Sequence, residues 1–253
     1  APNPSPMTFW GTNTWILGAG AVAVIDPGPD DPAHLAAILD ALDPGEGVSH
    51  IFVTHSHLDH SPLARRLAAR TGAPVLAFGD SDAGRSPLMT PLVGRIGGGE
   101  GADRSFAPDR CLADGETVAG SGWALRALHT PGHFGNHMCF QHGDMIFSGD
   151  LVMGWATSLV SPPDGDMAGF MASLDRLAGL GPRILLPGHG DPVGDPAGRI
   201  AELIAHRRGR EAQILAALGE GPATLAALTA RIYHDTPAAL LPAASRNVLA
   251  HLV

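Results

Sequence analysis

The sequence of 253 residues contains no lysine, because all 16 of its basic residues are arginines. This absence excludes chemistry that needs a lysine amine: a Schiff base, a pyridoxal-phosphate anchor, or the phosphate-binding lysine of a P-loop. Tyrosine is nearly absent too, since Tyr233 is the only one. No apolar run approaches the ~18 residues that a membrane span needs. We therefore expect no membrane partner.

Cysteine and positive charge are also scarce. Cys111 and Cys139 are too few for a disulfide framework or a thiolate zinc site, so a reducing, cytoplasmic location is expected. The net charge of −9 argues against a broad nucleic-acid-binding surface, which is normally basic. The first residue is not methionine and the last residues fall in an expected helix, so both ends look trimmed.

Strand and helix patterns alternate along most of the chain, and helical patterns alone follow. Apolar runs predict strands over residues 14–17, 21–25, 50–54, 73–78, 117–118, 123–128, 138–141, 145–147 and 183–186. Apolar spacing predicts helices over residues 32–42, 61–70, 167–180, 197–218, 224–233 and 243–253. The glycine-rich stretch 79–113 predicts a mobile loop. We expect a catalytic domain over residues 1–195 and a helical domain over 196–253, the latter cut short at its end.

Four side chains that can bind a metal fall within six residues, namely His55, His57, Asp59 and His60. They follow the expected strand 50–54 at a turn into a helix, so their donor atoms can converge on one point. Imidazole and carboxylate are donors that suit zinc, iron or manganese. The positive end of the following helix favours the ionised form of Asp59.

Three more candidate ligands each follow an expected strand and stand beside a glycine: His133, Asp150 and His189. Glycine lets the backbone turn sharply at a strand end, so that the next side chain projects into a cleft. Together with the first cluster, the set holds five of the 13 histidines and two aspartates. This set would fill two metal centres that share one bridging carboxylate.

This order of motifs resembles the metallo-β-lactamase-fold hydrolases over about residues 7 to 195. The resemblance implies an α/β fold, a four-layer αβ/βα sandwich with the metals at one edge of two facing sheets. It also implies which residues hold each ion: His55, His57 and His133 hold the first, Asp59, His60 and His189 hold the second, and Asp150 bridges the two. Asp26 matches an aspartate that supports the ligands in this family.

The resemblance implies two zinc ions, with manganese or iron as alternatives. Two cations that share a water lower its pKa and hold it as a bridging hydroxide, which attacks the substrate. Asp59 is the candidate catalytic residue that orients this nucleophile and passes its proton to the leaving group. His137 is either next to the ligands or the substrate, or an ordinary exposed histidine.

Within the superfamily the chain is similar to the lactamase-β-like-protein-2 branch, whose animal members are endoribonucleases for single-stranded RNA. The shared segments are 11–14, 132–138, 147–150, 206–214 and 233–249. The resemblance implies a small C-terminal winged-helix-like domain. The presence of Asp150 disfavours a true β-lactamase, and the absence of lysine disfavours a glyoxalase II-like hydroxyacylglutathione hydrolase, whose family binds glutathione through lysine and tyrosine.

The sequence leaves the substrate open between a small-molecule ester or thioester, a phosphodiester and single-stranded RNA. Arg207, Arg208 and Arg210 form a dense basic run that either contacts a phosphate backbone or is a solvated helix face. A mononuclear-iron persulfide dioxygenase shares the same motif. A non-enzymatic binding module that uses the C-terminal helices is a further alternative, and a homodimer stays open.

Overall fold

The computed structural model describes all residues from Ala1 to Val253. Its first sheet has the order β1-β2-β3-β4-β5, with β1 antiparallel to β2 and the other neighbours parallel. These strands are β1 (Trp15–Leu17), β2 (Ala21–Ile25), β3 (Gly47–Phe52), β4 (Val75–Ala77) and β5 (Arg110–Cys111). The sequence analysis missed β5, because two exposed residues at a sheet edge give no apolar pattern.

The second sheet has the order β10-β9-β8-β7-β6, in which only β9 and β10 are parallel. These strands are β6 (Thr117–Ala119), β7 (Ala124–His129), β8 (Met138–His142), β9 (Met145–Gly149) and β10 (Ile184–Pro187). The helices are α1 (Pro32–Asp40), α2 (Leu63–Thr71), α3 (Met167–Leu180), α4 (Pro196–Gly219), α5 (Leu225–Ile232) and α6 (Leu241–Leu252). No helix is long and apolar enough to cross a membrane.

The two sheets pack face to face across a core that includes Phe52 from β3 and Phe140 from β8. Residues on the outer face of the first sheet pack against α1 and α2. The outer face of the second sheet packs against α3 and the first half of α4, through residues such as Phe170 and Ile200. Alternating side chains of a strand point to opposite faces, so each sheet serves two cores. The αβ/βα sandwich expected from the sequence is confirmed.

The second half of α4 belongs to a separate, smaller core with α5 and α6, which includes Ile214, Leu228 and Val248. This long helix therefore packs with the sandwich at its start and with the C-terminal helices at its end. Asp195 caps its first turn by accepting a hydrogen bond from the Gly198 amide at 3.0 Å.

One edge of the sandwich gathers the carboxyl ends of several strands. In the first sheet β2 and β3 are parallel, so Asp26 and the residues after Phe52 emerge together. In the second sheet β7, β9 and β10 run in the same direction and end at this edge as well. The topology therefore brings all the candidate ligands to one place.

Candidate metal centre

The first group of donor atoms comes from His55, His57 and His133. The Nδ1 atom of His57 lies 2.8 Å from His55 Nε2 and 3.0 Å from His133 Nε2. His55 and His57 follow β3, whereas His133 follows β7 across the sandwich. Three imidazole nitrogens at these separations can hold one metal ion.

The second group of donor atoms comes from Asp59, His60 and His189. The Nε2 atom of His189 lies 3.2 Å from Asp59 Oδ2 and 3.3 Å from His60 Nε2. Asp150 lies between the two groups, with Oδ2 at 3.7 Å from His133 Nε2 and 3.4 Å from His189 Nε2. The structure thus brings all seven sequence-predicted ligands together and places Asp150 where a bridging carboxylate would be.

The other ring nitrogen of four histidines is fixed by a hydrogen bond that points away from the site. His133 donates from Nδ1 to the Leu159 carbonyl at 2.7 Å, and His189 donates to the Gly11 carbonyl at 3.0 Å. Since a carbonyl only accepts, each Nδ1 carries the proton and each Nε2 presents a lone pair to its neighbours. His60 and His55 follow the same pattern, with Asp26 Oδ2 and Thr54 Oγ1 as acceptors.

Two observations show that this donor set fits a metal cation. Lone pairs of several buried nitrogens face each other at 2.8–3.3 Å, an arrangement that is repulsive unless protons or a cation lie between them. The Oδ1 atom of Asp150 is buried and accepts no hydrogen bond, although buried carboxylate oxygens are normally satisfied. Neutral imidazoles and carboxylates at this density suit zinc, iron or manganese.

The two groups differ in their electrostatics. Burial lowers the pKa of His55 well below its usual value and the pKa of His57 to about 3, so both side chains are neutral and would bind a metal without losing a proton. Burial also lowers the pKa of His189, but Asp150 and Asp59 outweigh it and raise this pKa to about 10. A metal ion at the second group therefore competes with a proton for the His189 nitrogen, which couples metal binding to proton release.

Asp26 fixes His60 of the second group through a hydrogen bond on the side of the ring away from the other donor atoms. Its carboxylate accepts hydrogen bonds from the Thr54 amide and hydroxyl, both at 2.7 Å, and from His60 Nδ1 at 3.0 Å. Asp26 adopts a left-handed conformation with φ of 51°, which aspartate and asparagine tolerate better than most residues. Sequence reasoning found Asp26 but missed Thr54, whose position directly before His55 was the available signal.

We expect Asp26→Asn to weaken metal binding at the second group. The Thr54 amide must keep an oxygen acceptor, so the new side-chain amide would donate to His60 Nδ1 and move the His60 proton to Nε2. The metal-facing lone pair of His60 is then lost, and affinity for one of two ions should fall by about 10–100-fold. Chelator competition with zinc checks this result, with Asp30→Asn at an exposed ion pair as the control. Equal affinities in the variant and the wild type would contradict it.

His137 is buried rather than exposed, so one of the two interpretations left open by the sequence is excluded. Its Nε2 accepts a hydrogen bond from the Asp150 amide at 3.2 Å, and its Nδ1 faces Thr130 Oγ1 at 3.0 Å. His137 therefore holds the backbone of Asp150 from inside the protein. Glycine is required on the other side of Asp150, because a Cβ on Gly188 would lie 2.5 Å from Asp150 Oδ1.

The glycine-rich stretch borders the site. The Leu58 amide donates to the Gly101 carbonyl at 2.7 Å, and the Asp103 amide donates to the Ser56 carbonyl at 2.8 Å. Asn136, which sequence reasoning missed, ties this stretch to the ligand turn by donating to Ser56 Oγ at 2.9 Å and to the Asp80 carbonyl at 2.9 Å. This part of the loop forms one wall of the metal centre.

The three arginines of the basic run on α4 differ in exposure and in contacts. Arg207 is 1% exposed and donates to Asn247 and to the Ser158 carbonyl, so its predicted contact with nucleic acid is wrong. Arg210 packs over the Tyr233 ring at 4.3 Å and donates to the Ile232 carbonyl at 2.9 Å. Only Arg208 of the three is exposed, and its contact with nucleic acid stays a prediction.

A family model described as the metallo-beta-lactamase superfamily matches residues 7–189. This chain belongs to the metallo-β-lactamase superfamily. A second model, the beta-lactamase associated winged helix domain, matches residues 224–253 and confirms the winged-helix-like nature of the C-terminal helices.

Relatives of this metallo-β-lactamase superfamily chain carry two kinds of name. It is 34% identical to the Beta-lactamase-like protein 2 homolog of Drosophila melanogaster, over 99% of this chain and 84% of that protein. It is 30% identical to the Atrochrysone carboxyl ACP thioesterase of Aspergillus fumigatus, over 93% of this chain and 72% of that protein. Among further fungal relatives at 30% identity, the chain spans 56% to 64% of their length.

Solved structures agree with the fold. A metallo-beta-lactamase family protein from Thermus thermophilus superposes with a TM-score of 0.77 at 28% identity, covering 99% of this chain and 89% of that one. Another protein, solved in a di-iron-bound form, superposes with a TM-score of 0.58 at 28% identity, covering 79% of this chain and 96% of that one.

Proposed function

We propose that this protein is a metal-dependent hydrolase that cleaves a small-molecule thioester or ester. The observation that carries the proposal is the convergence of seven side chains that can bind a metal, four of them histidines whose rings are fixed by hydrogen bonds on the far side. Two divalent ions bound there would supply Lewis acidity, which activates water near neutral pH and polarises the substrate carbonyl. Zinc is the first expectation for both ions, with iron or manganese as alternatives.

Asp59 is the residue best placed to move a proton. Its side chain is 27% exposed, whereas those of His60, His189 and Asp150 are at most 9% exposed, so Asp59 faces the opening of the site. Burial raises its pKa, but His60 and His189 outweigh burial and bring the pKa to about 2. The carboxylate is therefore ionised at neutral pH and able to accept a hydrogen bond from an attacking water.

Exposed apolar side chains that neighbour site residues along the chain suit an acyl group. Phe9 stacks on Trp155 with ring centroids 4.9 Å apart, and Trp10 lies 4.3 Å from Phe9 and is 72% exposed. This aromatic shelf is joined directly to the site, because Gly11 follows Trp10 and its carbonyl fixes His189. Leu58, between two ligands of the motif, is 51% exposed. We propose that these groups contact the acyl part of the substrate.

Charge disfavours the polyanionic alternative. The chain carries a net charge of −9, and three of the four arginines of α4, Arg199, Arg207 and Arg210, donate hydrogen bonds within the protein. A single-stranded RNA would need cations for its phosphates. The thioesterase name of a relative at 30% identity supports the thioester proposal instead.

A substrate panel on the zinc- and manganese-loaded protein tests the proposal. It should contain an aromatic acyl thioester, S-lactoylglutathione, a lactone, a cephalosporin, single-stranded RNA and a simple phosphodiester, with chelator-treated protein as the blank. We expect the aromatic acyl thioester to be cleaved with the highest kcat/KM. Faster cleavage of RNA would overturn the substrate assignment. Oxygen uptake on a glutathione persulfide by the iron-loaded protein would overturn the reaction class.

A further inference from the structure

An irregular segment, Ser158–Ser161, lies between the metal centre and the C-terminal helices. Its Leu159 carbonyl accepts the hydrogen bond that fixes the His133 ring, at 2.7 Å. Its Ser158 hydroxyl donates to the Asp150 carbonyl at 2.5 Å and to the Leu151 carbonyl at 3.0 Å. The segment thus contacts one ligand of the first group and the backbone of the bridging ligand.

The segment has no strand or helix of its own to hold it. Side chains from α4 and α6 bind it instead. Asn247 Oδ1 accepts from the Val160 amide at 3.0 Å, Arg207 donates to the Ser158 carbonyl, and Arg246 Nε donates to Ser161 Oγ at 2.8 Å. Arg207 also donates to Asn247 Oδ1 at 3.2 Å, which joins the two helices at the point where they meet the segment.

Packing alone does not explain why an arginine is buried at position 207. Its guanidinium is buried, lies 5.2 Å from the Phe170 ring centroid and makes no ion pair with a carboxylate. A buried cation without a counter-charge is unfavourable unless its hydrogen bonds are specific, and an apolar side chain of similar size would pack against Phe170 as well. Its Nη1 and Nη2 atoms donate to Asn247 and to a backbone carbonyl, which both lead to the segment, whereas its buried Nε has no partner.

We infer that Arg207 and Asn247 are positioning residues of the metal centre, acting through Ser158–Ser161 on His133 and Asp150. The C-terminal helices then complete the site from behind, without contacting an ion. His133 can turn about its Cβ–Cγ bond when the Leu159 carbonyl moves, and its Nε2 then leaves the position 3.0 Å from His57 Nδ1. Loss of Asn247 should act on the first group, because its Oδ1 holds the Val160 amide next to Leu159. Ser158 still holds the Asp150 carbonyl, and His60 and His189 are fixed by Asp26 and Gly11.

This inference rests on the proposed two-ion site, and metal affinity measured on the full chain tests it. Asn247→Ala removes the acceptor for Val160, whereas Asn247→Asp keeps it and can pair with Arg207. Val248→Ala is the matched control, since Val248 is the next residue of α6 and packs in the C-terminal core. Chelator competition with zinc gives both affinities, the visible spectrum of the cobalt form reports ligand geometry, and thermal unfolding reports stability.

We expect Asn247→Ala to weaken one ion by about 10–100-fold, the range seen when a group that orients a ligand is lost. The same ion should be the one lost in His57→Ala, and the other should change by less than ~3-fold. Asn247→Asp should restore wild-type affinity and spectrum. Val248→Ala should lower the unfolding temperature and leave both affinities and the cobalt spectrum unchanged. If Asn247→Ala does not fold, Asn247→Ser gives the same comparison with a smaller change.

Two results would overturn the inference. One is wild-type affinity for both ions in Asn247→Ala, which would make Asn247 a purely structural residue. The other is equal weakening of both ions in Asn247→Ala and Val248→Ala, which would show general loss of stability. Failure of the proposed two-ion site looks different, because the wild-type protein itself would then bind less than one equivalent of metal. Failure of the substrate assignment would appear in the substrate panel and would leave these metal affinities unchanged.

Discussion

Asp150→Asn is expected to lower kcat/KM for the best substrate by at least ~1,000-fold and to leave the protein with fewer than two bound ions. The carboxylate lies 3.4–3.7 Å from the nearest nitrogens of His60, His133 and His189, so it is the one anion shared by both groups. An asparagine carries no charge and turns an N–H₂ group towards one set of lone pairs. Metal ions supply several kcal/mol of transition-state stabilisation, and each 1.36 kcal/mol is a factor of ten in rate.

Metal content by elemental analysis and steady-state kinetics measure this effect together. Asp175→Asn is a suitable control, because Asp175 is exposed on α3 and makes no ion pair. The Asp150→Asn protein should unfold at a temperature close to that of the metal-free wild type. An Asp150→Asn protein that retained two ions and wild-type kcat/KM would refute the bridging role.

Asp59→Asn is expected to lower kcat by about 100- to 10,000-fold, the usual contribution of a positioned acid or base. The partly exposed carboxylate is 3.2 Å from His189 Nε2, so under the proposed function it would be both a ligand of the second group and the proton acceptor nearest the opening. Kinetics at saturating zinc separate the two roles, since a pure ligand defect is relieved by excess metal. Asp40→Asn, on the exposed face of α1, is the control.

Comparing substrates with different leaving groups tests the role of Asp59 in proton transfer more directly. A thioester or ester with a poor leaving group needs a proton as the bond breaks, whereas a nitrophenyl ester does not. The loss in Asp59→Asn should therefore be smaller for the nitrophenyl ester. Equal losses for both substrates at saturating zinc would contradict a role for Asp59 in protonating the leaving group.

The sequence was sufficient to predict which candidate ligands lie together, because each of them has a recognisable local pattern. His55, His57, Asp59 and His60 are adjacent, and the glycines before His133, Asp150 and His189 mark strand ends. Strand ends on one side of a sandwich meet at one edge, so sequence order and a known topology place these residues together. The sheet edge strand β5 had no comparable pattern.

The role of Arg207 could not be predicted from local sequence patterns. A cluster of arginines suggests a charged surface, yet Arg207 continues the buried stripe of Ile200, Leu203 and Ile214 on α4. That 3.6-residue periodicity was a usable signal for burial, but not for the hydrogen bonds that the buried cation makes. Its partners on Ser158–Ser161 are 49 residues away and depend on tertiary packing.

The gathering of ligands from several strand ends also sets an order of events during synthesis. His60 and His189 are 129 residues apart in sequence, so their pairing waits until nearly all of the sandwich has been made and β10 has docked. The nascent chain carries only the local ligand cluster, which lacks the bridging carboxylate and the fourth and fifth imidazoles. Long-range contacts form late because closing such a loop has a large entropic cost. Under the proposed function, full metal binding would therefore follow folding of the sandwich.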